Sequence, residues 1–126
     1  MDPLRRGGGE PRRRELESLL ILEALPGVGL RGLRALVHAA GSAAAALSDR
    51  RLLEERAGAA AAAAARAEEP RRGVLIALDR ADRLGMRTLH FGEDSYPRAL
   101  LHLADPPPVL FLRGNAELLE TPGVGV

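Results

Sequence analysis

The chain of 126 residues contains no cysteine and no lysine. Without cysteine it can form neither disulfides nor thiolate metal sites, and this composition is compatible with a reducing cytosol. Every basic residue other than histidine is an arginine. With the abundant alanine, leucine and glycine, this bias is better explained by GC-rich coding DNA than by a selected function. Arginine nevertheless supplies a rigid fork of donors that suits phosphate.

Long apolar runs and a strong net charge are also missing. No run reaches the roughly 20 apolar residues that a bilayer-spanning helix needs. Residues 16–25 follow an arginine-rich start, but Glu15, Glu17 and Glu23 argue against a secretory signal. The formal net charge of +1 does not make the whole chain an attractor for nucleic acid. We therefore expect a cytoplasmic protein with one modest domain and an appendage.

The first thirteen residues are rich in glycine, proline and arginine and hold little that could enter a core. We predict a disordered basic leader over residues 1–13. A solvated tail is the simpler interpretation of this segment, and a basic arm that touches nucleic acid is the functional alternative.

Helical periodicity begins after the leader. Apolar residues recur at helical spacing over 14–25 and 30–40, and Pro26-Gly27-Val28-Gly29 separates the two segments. Proline ends the first helix, and the glycines permit positive φ or a close backbone approach. Further helices are predicted from the Ser42 cap to Leu47, from Ser48 or Asp49 to Gly58, over the alanine run 59–65, and over 70–84.

The last part of the chain changes to short strands. Met86–Phe91 and Val109–Leu112 are predicted strands, and residues 124–126 begin a third. Between the first two strands, Tyr96-Pro97 opens a short helix that extends to Leu103. We divide the chain into the leader 1–13, a helical domain 14–69, and a linker helix with a short α/β extension 70–126.

The first candidate site is the hairpin Gly27, Val28 and Gly29, with Arg31 and Arg34 on the helix that follows. A glycine hairpin at a helix N-terminus exposes backbone N–H groups to a phosphate, and the helix dipole favours the anion. Both arginines share the exposed helix face, where they can bind neighbouring phosphates without specifying a sequence. The alternative is that this segment is only a compact turn and that both arginines are ordinary surface residues.

No catalytic pattern is present among the other polar residues. Asp94 and Asp105 come nearest to a carboxylate pair, and turn and cap roles explain both. The three histidines lack metal-ligand spacing. Gly123-Val124-Gly125 begins a predicted strand, whereas a dinucleotide-binding loop follows one. We expect no enzyme activity, no cofactor and no metal site.

Two spaced motifs in the second half carry a family resemblance. They are Tyr96-Pro97-x-x-Leu100 and Asp105-Pro106-Pro107-x-Val109-Leu110-Phe111-x-Arg113-Gly114. Together they resemble a passage of the DNA-processing protein A family (DprA or Smf), in which it lies between an N-terminal helical domain and a Rossmann-like domain. The segment 25–29 also resembles the helix-hairpin-helix of that family's SAM-like domain. The resemblance covers residues 16–126.

The resemblance implies a mainly α fold, in which a SAM-like helix-hairpin-helix domain precedes a short α/β extension that begins a truncated Rossmann-like domain. It also implies structural roles for the family-motif residues Tyr96, Pro97, Asp105, Pro106, Pro107, Arg113 and Gly114. Members of the family bind single-stranded DNA and load the RecA recombinase during natural transformation (competence). Their Gly-Ser-Arg phosphate motif follows the strand that begins near Val124. We therefore expect this chain to be the N-terminal accessory part, with RecA and homodimer contacts in the missing domain.

Two functions of different classes follow. The first is a DNA-processing, recombination-mediator protein whose partners are single-stranded DNA and RecA. The alternative is a small helical protein-interaction module without DNA binding, in which the alanine-rich middle exposes apolar surface to a partner helix. Salt-dependent DNA binding distinguishes them, because phosphate contacts weaken steeply with salt.

Overall fold

The computed structural model describes residues 3–113, and this part of the chain is mainly helical with one small sheet. This confirms the predicted mainly α fold with a short α/β extension; the predicted third strand lies outside the described residues. Two strands, β1 (Arg87–His90) and β2 (Val109–Leu112), form the sheet. The helices in chain order are α1 (Pro3–Ala24), α2 (Gly29–Ala40), α3 (Ala43–Ser48), α4 (Arg50–Ala57), α5 (Ala59–Arg66), α6 (Glu68–Arg83) and α7 (Arg98–Leu101).

The hydrophobic core forms where α1 and α2 pack together and against α3, α4 and α6. Leu16, Leu19 and Leu22 of α1 are fully buried. Leu33 and Leu36 of α2 are buried beside them. Burying one leucine side chain contributes about 1.5–3 kcal/mol. The buried leucines of α1 and α2 therefore provide much of the free energy that holds these two helices together. The apolar faces predicted for both helices are confirmed.

Helix α6 belongs to this core as well. Its Val74 and Leu78 are part of the same cluster as the leucines of α1 and α2. Three side chains pack on the periphery of the cluster, Val109 and Phe111 of β2 and Phe91, which directly follows β1. Residues on both sides of the expected boundary at 69 therefore share one hydrophobic cluster, because the apolar arc of α6 packs on α1.

Helix α1 begins well before its predicted start. The sequence predicted a disordered leader over 1–13 and a helix from Arg14, whereas in the structure the helix begins at Pro3. The described part of the leader is therefore helical. Composition predicted solvation because the segment has few apolar residues, and its periodicity gives no sign of contacts elsewhere in the chain.

Two arginines in this extension explain its order. Arg12 of α1 donates to the Thr88 carbonyl oxygen of β1 and to the Glu93 carboxylate. Arg13 Nη1 lies 3.2 Å from Asp82 Oδ2 of α6. The part of α1 around Arg12 and Arg13 is thus joined to the sheet and to α6 by polar contacts that span most of the chain.

The N-terminus of α3 is capped from two directions. Ser42 Oγ accepts a hydrogen bond from Ala45 N at 3.0 Å, as the sequence predicted. Glu15 of α1 accepts from Ala43 N at 2.7 Å and from Ala44 N at 3.1 Å. This carboxylate satisfies donors at the positive end of a helix dipole, and it fixes α3 against α1.

The two strands pair antiparallel, with Leu89 opposite Leu110 and His90 opposite Val109. Their predicted positions are confirmed. The helix predicted from Tyr96-Pro97 to Leu103 is shorter in the structure, where α7 covers only Arg98–Leu101.

Glu93 is the centre of the polar contacts between α1 and the sheet. Arg12 Nε lies 2.5 Å from Glu93 Oε2, Arg12 Nη2 lies 3.0 Å from Oε1, and His90 N donates to Oε1 at 2.9 Å. Burial raises the pKa of Glu93, but the hydrogen bonds from Arg12 and His90 outweigh it and hold that pKa below its ordinary value. Burial lowers the pKa of the His90 imidazole, and this effect exceeds the opposing attraction of Glu93 and Glu15.

Both shifts predict loss of stability in acid. A depressed folded-state pKa stabilises the protein above the unfolded pKa, and this stability is lost as the pH falls. We expect the free energy of unfolding to begin falling below pH 6.5 through His90 and to fall further below pH 4.5 through Glu93. Urea unfolding at a series of pH values measures both steps.

Variants assign these steps. Glu93→Gln is expected to flatten the step below pH 4.5, and Arg12→Ala is expected to cost about 1–2 kcal/mol at neutral pH. Glu54→Gln is the matched control, because Glu54 pairs with Arg50 on the exposed face of α4. The assignment to Glu93 is wrong if Glu93→Gln keeps the wild-type pH profile, or if Glu54→Gln flattens the same step.

Candidate nucleic-acid interface

The turn between α1 and α2 depends on two glycines with positive φ. Gly27 has a φ of +80° and Gly29 a φ of +64°, which residues with a side chain rarely adopt. A Cβ at Gly27 would lie 3.1 Å from the Ala57 carbonyl oxygen of α4. The sequence prediction that this turn requires positive φ or a close backbone approach is confirmed.

Val28 lies between the two glycines and has a different role. Its side chain is 5% exposed and belongs to the hydrophobic core. The sequence grouped Val28 with the candidate DNA-binding residues for the backbone N–H groups of the hairpin, and its side chain anchors the turn. At this position only the backbone could contribute to binding.

The N-terminus of α2 is open to solvent. Its N-cap residue, Val28, makes no side-chain capping hydrogen bond. Gly27, Gly29 and Leu30 are exposed, and among the described residues no other part of the protein comes within 4 Å of the Cβ position at Gly29. An anion can therefore approach the N–H groups of the first turn of α2, where the helix dipole favours negative charge.

Arg31 and Arg34 follow this N-terminus on the exposed face of α2, one turn apart. The Arg31 side chain is 87% exposed, and its Nε lies 3.8 Å from Asp105 Oδ1. Arg34 Nη1 donates to the Ala104 carbonyl oxygen at 3.3 Å. An exposed ion pair of this kind contributes about 0–1 kcal/mol, so both guanidinium groups can exchange these partners for a phosphate at little cost.

Tyr96 holds the segment that carries Ala104 and Asp105. Its ring is 2% exposed, and its hydroxyl donates to the Pro107 carbonyl oxygen at 2.7 Å. A packed ring with a paired hydroxyl is the usual arrangement of a buried tyrosine. Burial raises the pKa of the Tyr96 hydroxyl. The Tyr-Pro and Asp-Pro-Pro motifs are thus joined by a buried side chain and one hydrogen bond.

The structure also locates the family-motif residues Pro97, Pro106, Pro107 and Arg113. Pro97 is the half-buried N-cap residue of α7. Pro106 is buried and Pro107 is half-buried, so both help to pack the segment that follows α7 against the rest of the protein. Arg113 is exposed just after β2, and Gly114 lies outside the described residues.

The structure brings the hairpin helix α2 into contact with the segment that carries the Asp-Pro-Pro motif. The arginines of the hairpin helix touch residues 104 and 105, which Tyr96 and the prolines hold in place. No local pattern predicts this contact, because Asp105 also fits the role of a helix stop before three prolines. Its opposite charge to Arg31 was the one available signal.

The part of the chain that contains the Tyr-Pro and Asp-Pro-Pro motifs is similar to a known protein family. Residues 87–126 match the family of DNA recombination-mediator protein A. The matched range includes the Tyr-Pro and Asp-Pro-Pro motifs, and the hairpin with Arg31 and Arg34 lies before it. No curated protein and no solved structure matches the chain.

Two findings concern other kinds of site. Within residues 3–113, no group of three or more histidine or acidic side chains is arranged to hold a metal ion. None of the helices in the same range is both long enough and apolar enough to cross a membrane.

Proposed function

We propose that this chain is the N-terminal accessory part of a DNA recombination mediator that binds single-stranded DNA and supports RecA loading in natural transformation. The observation that carries the proposal is the family match over residues 87–126, which supports a role in DNA recombination in general. The Tyr96–Pro107 hydrogen bond, which joins both halves of the resembling passage, adds a structural reason for that spacing. RecA contact and homodimer formation are proposed for the Rossmann-like domain that the family resemblance implies, and for none of the residues described here.

Within this function, the hairpin would bind the sugar-phosphate backbone. The uncapped first turn of α2 offers N–H donors to one phosphate, and Arg31 and Arg34 can bind its neighbours. Charge-assisted hydrogen bonds from arginine to phosphate are roughly twice as strong as those between neutral groups. These contacts position the strand and read no bases, which suits a protein that acts on DNA of any sequence.

Binding of a fluorescein-labelled oligothymidylate to the 126-residue chain, followed by anisotropy, tests the proposal. We expect binding at about 50 mM salt that weakens as the salt rises to about 200 mM, with a slope of about −0.7 for each phosphate neutralised. A chain that is folded by circular dichroism and shows no binding at the lower salt would overturn the proposed DNA contact.

The alternative, a protein-interaction module built on the alanine-rich middle, loses its main support. Ala61 and Ala62 of α5 are buried in the core, so one side of this segment packs within the chain. Of its alanine run only small side chains remain exposed, those of Ala59, Ala60 and Ala63. The family match does not favour this alternative either.

A further inference from the structure

A small cleft opens beside the two arginines, between α2 and the segment that runs from the end of β1 to the prolines. Its volume is about 220 Å³. The side chains that line it are Arg34, Val37, His38, Phe91, Leu101 and Pro106.

The cleft has an apolar part and a polar part. Phe91 is half-buried, and Leu101 is 37% exposed, which leaves apolar surface at the cleft in contact with water. Arg34 and His38 are exposed on the α2 side, one turn apart. A planar group that is apolar on its faces and attached to an anion would satisfy both parts.

We propose that this cleft binds one nucleobase of single-stranded DNA, stacked on Phe91, while Arg34 binds the adjoining phosphate. The inference rests on the proposed function and deepens it, because it assigns a base-binding position next to the phosphate-binding hairpin. Stacking on an aromatic ring is tolerant of sequence, since every base has a π face. The site would therefore increase affinity for single strands without selecting a sequence.

Size and charge favour a base over other ligands. Pockets for drug-sized ligands have volumes of about 300–1,000 Å³, so a cleft of about 220 Å³ suits a single small planar group. Arg34 lies on both the hairpin helix and the cleft, so one strand could contact both. A paired base could not enter, because its faces are covered in a duplex.

The test compares two labelled ligands of equal length, an oligothymidylate and an abasic sugar-phosphate oligomer. We expect the 126-residue chain to bind the abasic oligomer about 5- to 150-fold more weakly, as loss of one stacked base implies. Phe91→Leu, which keeps an apolar side chain, is expected to weaken oligothymidylate binding toward the abasic level and to leave abasic binding unchanged. Phe111→Leu is the matched control, because Phe111 packs on the same core but does not line the cleft.

A second pair of variants covers the case in which Phe91→Leu does not fold. Leu101→Glu places a charge at the cleft, and Leu103→Glu places the same charge on an exposed leucine outside it. We expect only Leu101→Glu to lower the preference for oligothymidylate over the abasic oligomer.

The outcomes separate the two proposals. Equal affinity for both ligands, unchanged by Phe91→Leu and Leu101→Glu, would overturn the base-binding cleft and leave phosphate binding intact. Absence of binding to either ligand would overturn the proposed DNA contact, and the cleft with it.

Discussion

Replacing Arg31 and Arg34 together by alanine is expected to weaken oligothymidylate binding by about 10- to 100-fold at low salt. Each guanidinium can form charge-assisted hydrogen bonds to phosphate, and each such bond is worth about 1.5–3 kcal/mol, part of which is lost to exposure. The salt slope should also fall in magnitude by about 1.4, because two phosphate contacts are removed. Anisotropy titrations at several salt concentrations measure both quantities.

The fold should survive this change. Both side chains are exposed, and their contacts with Asp105 and the Ala104 carbonyl are long. Arg72→Ala with Arg83→Ala is the matched control, since it removes the same charge from exposed positions on α6. If this control lowers the affinity as much as the hairpin variant does, net charge accounts for binding and the hairpin has no special role.

Asp105→Asn is expected to change the affinity for DNA in the opposite direction. The Asp105 carboxylate lies near Arg31 and would repel a phosphate that binds there. Its neutralisation is expected to strengthen DNA binding by about 2- to 5-fold, in line with the small worth of exposed pairs. A purely structural role for the contact between Arg31 and Asp105 predicts no gain in affinity.

Tyr96→Ala is expected to lower the free energy of unfolding by about 3–5 kcal/mol, the range for truncation of large buried aromatic side chains. Tyr96 is among the largest fully buried side chains of the described residues, and its loss would leave a cavity below the proline segment. Tyr96→Phe should cost less, about 1–2 kcal/mol, because it leaves the Pro107 carbonyl oxygen without its donor. Urea unfolding at neutral pH measures both.

Leu103→Ala is the control for this pair, since Leu103 lies nearby but is 49% exposed. It should change the stability far less than Tyr96→Ala does. Equal losses for Tyr96→Phe and Tyr96→Ala would show that the hydroxyl carries the whole effect, whereas no loss for Tyr96→Phe would show that its hydrogen bond contributes nothing to stability.

Local sequence patterns predicted much of this fold. The apolar periodicity located α2 and α6 to within two residues at each end, and the two strands emerged from short apolar runs bounded by turn residues. The positive φ of Gly27 and Gly29 followed from their place between two helices. These features depend on neighbours in the chain, and a single sequence contains that information.

Contacts between distant segments could not be predicted in the same way. The pairing of Arg12 with Glu93 extends α1 into a segment whose composition suggested disorder. The contact of Arg31 with Asp105 joins the hairpin to the proline segment, although each residue has a sufficient local explanation. Val28 was predicted to contribute through its backbone, and the motif does not reveal that its side chain is buried in the core.

Amide chemical shifts of the ¹⁵N-labelled chain, followed while oligothymidylate is added, test the central claim most directly. The claim that the hairpin binds phosphate predicts that the amides of Gly27, Gly29, Leu30 and Arg31 move most and return toward their free positions as salt is raised. Binding whose largest shifts lie elsewhere, for example on the outer face of α6, with the hairpin amides unmoved, would contradict it.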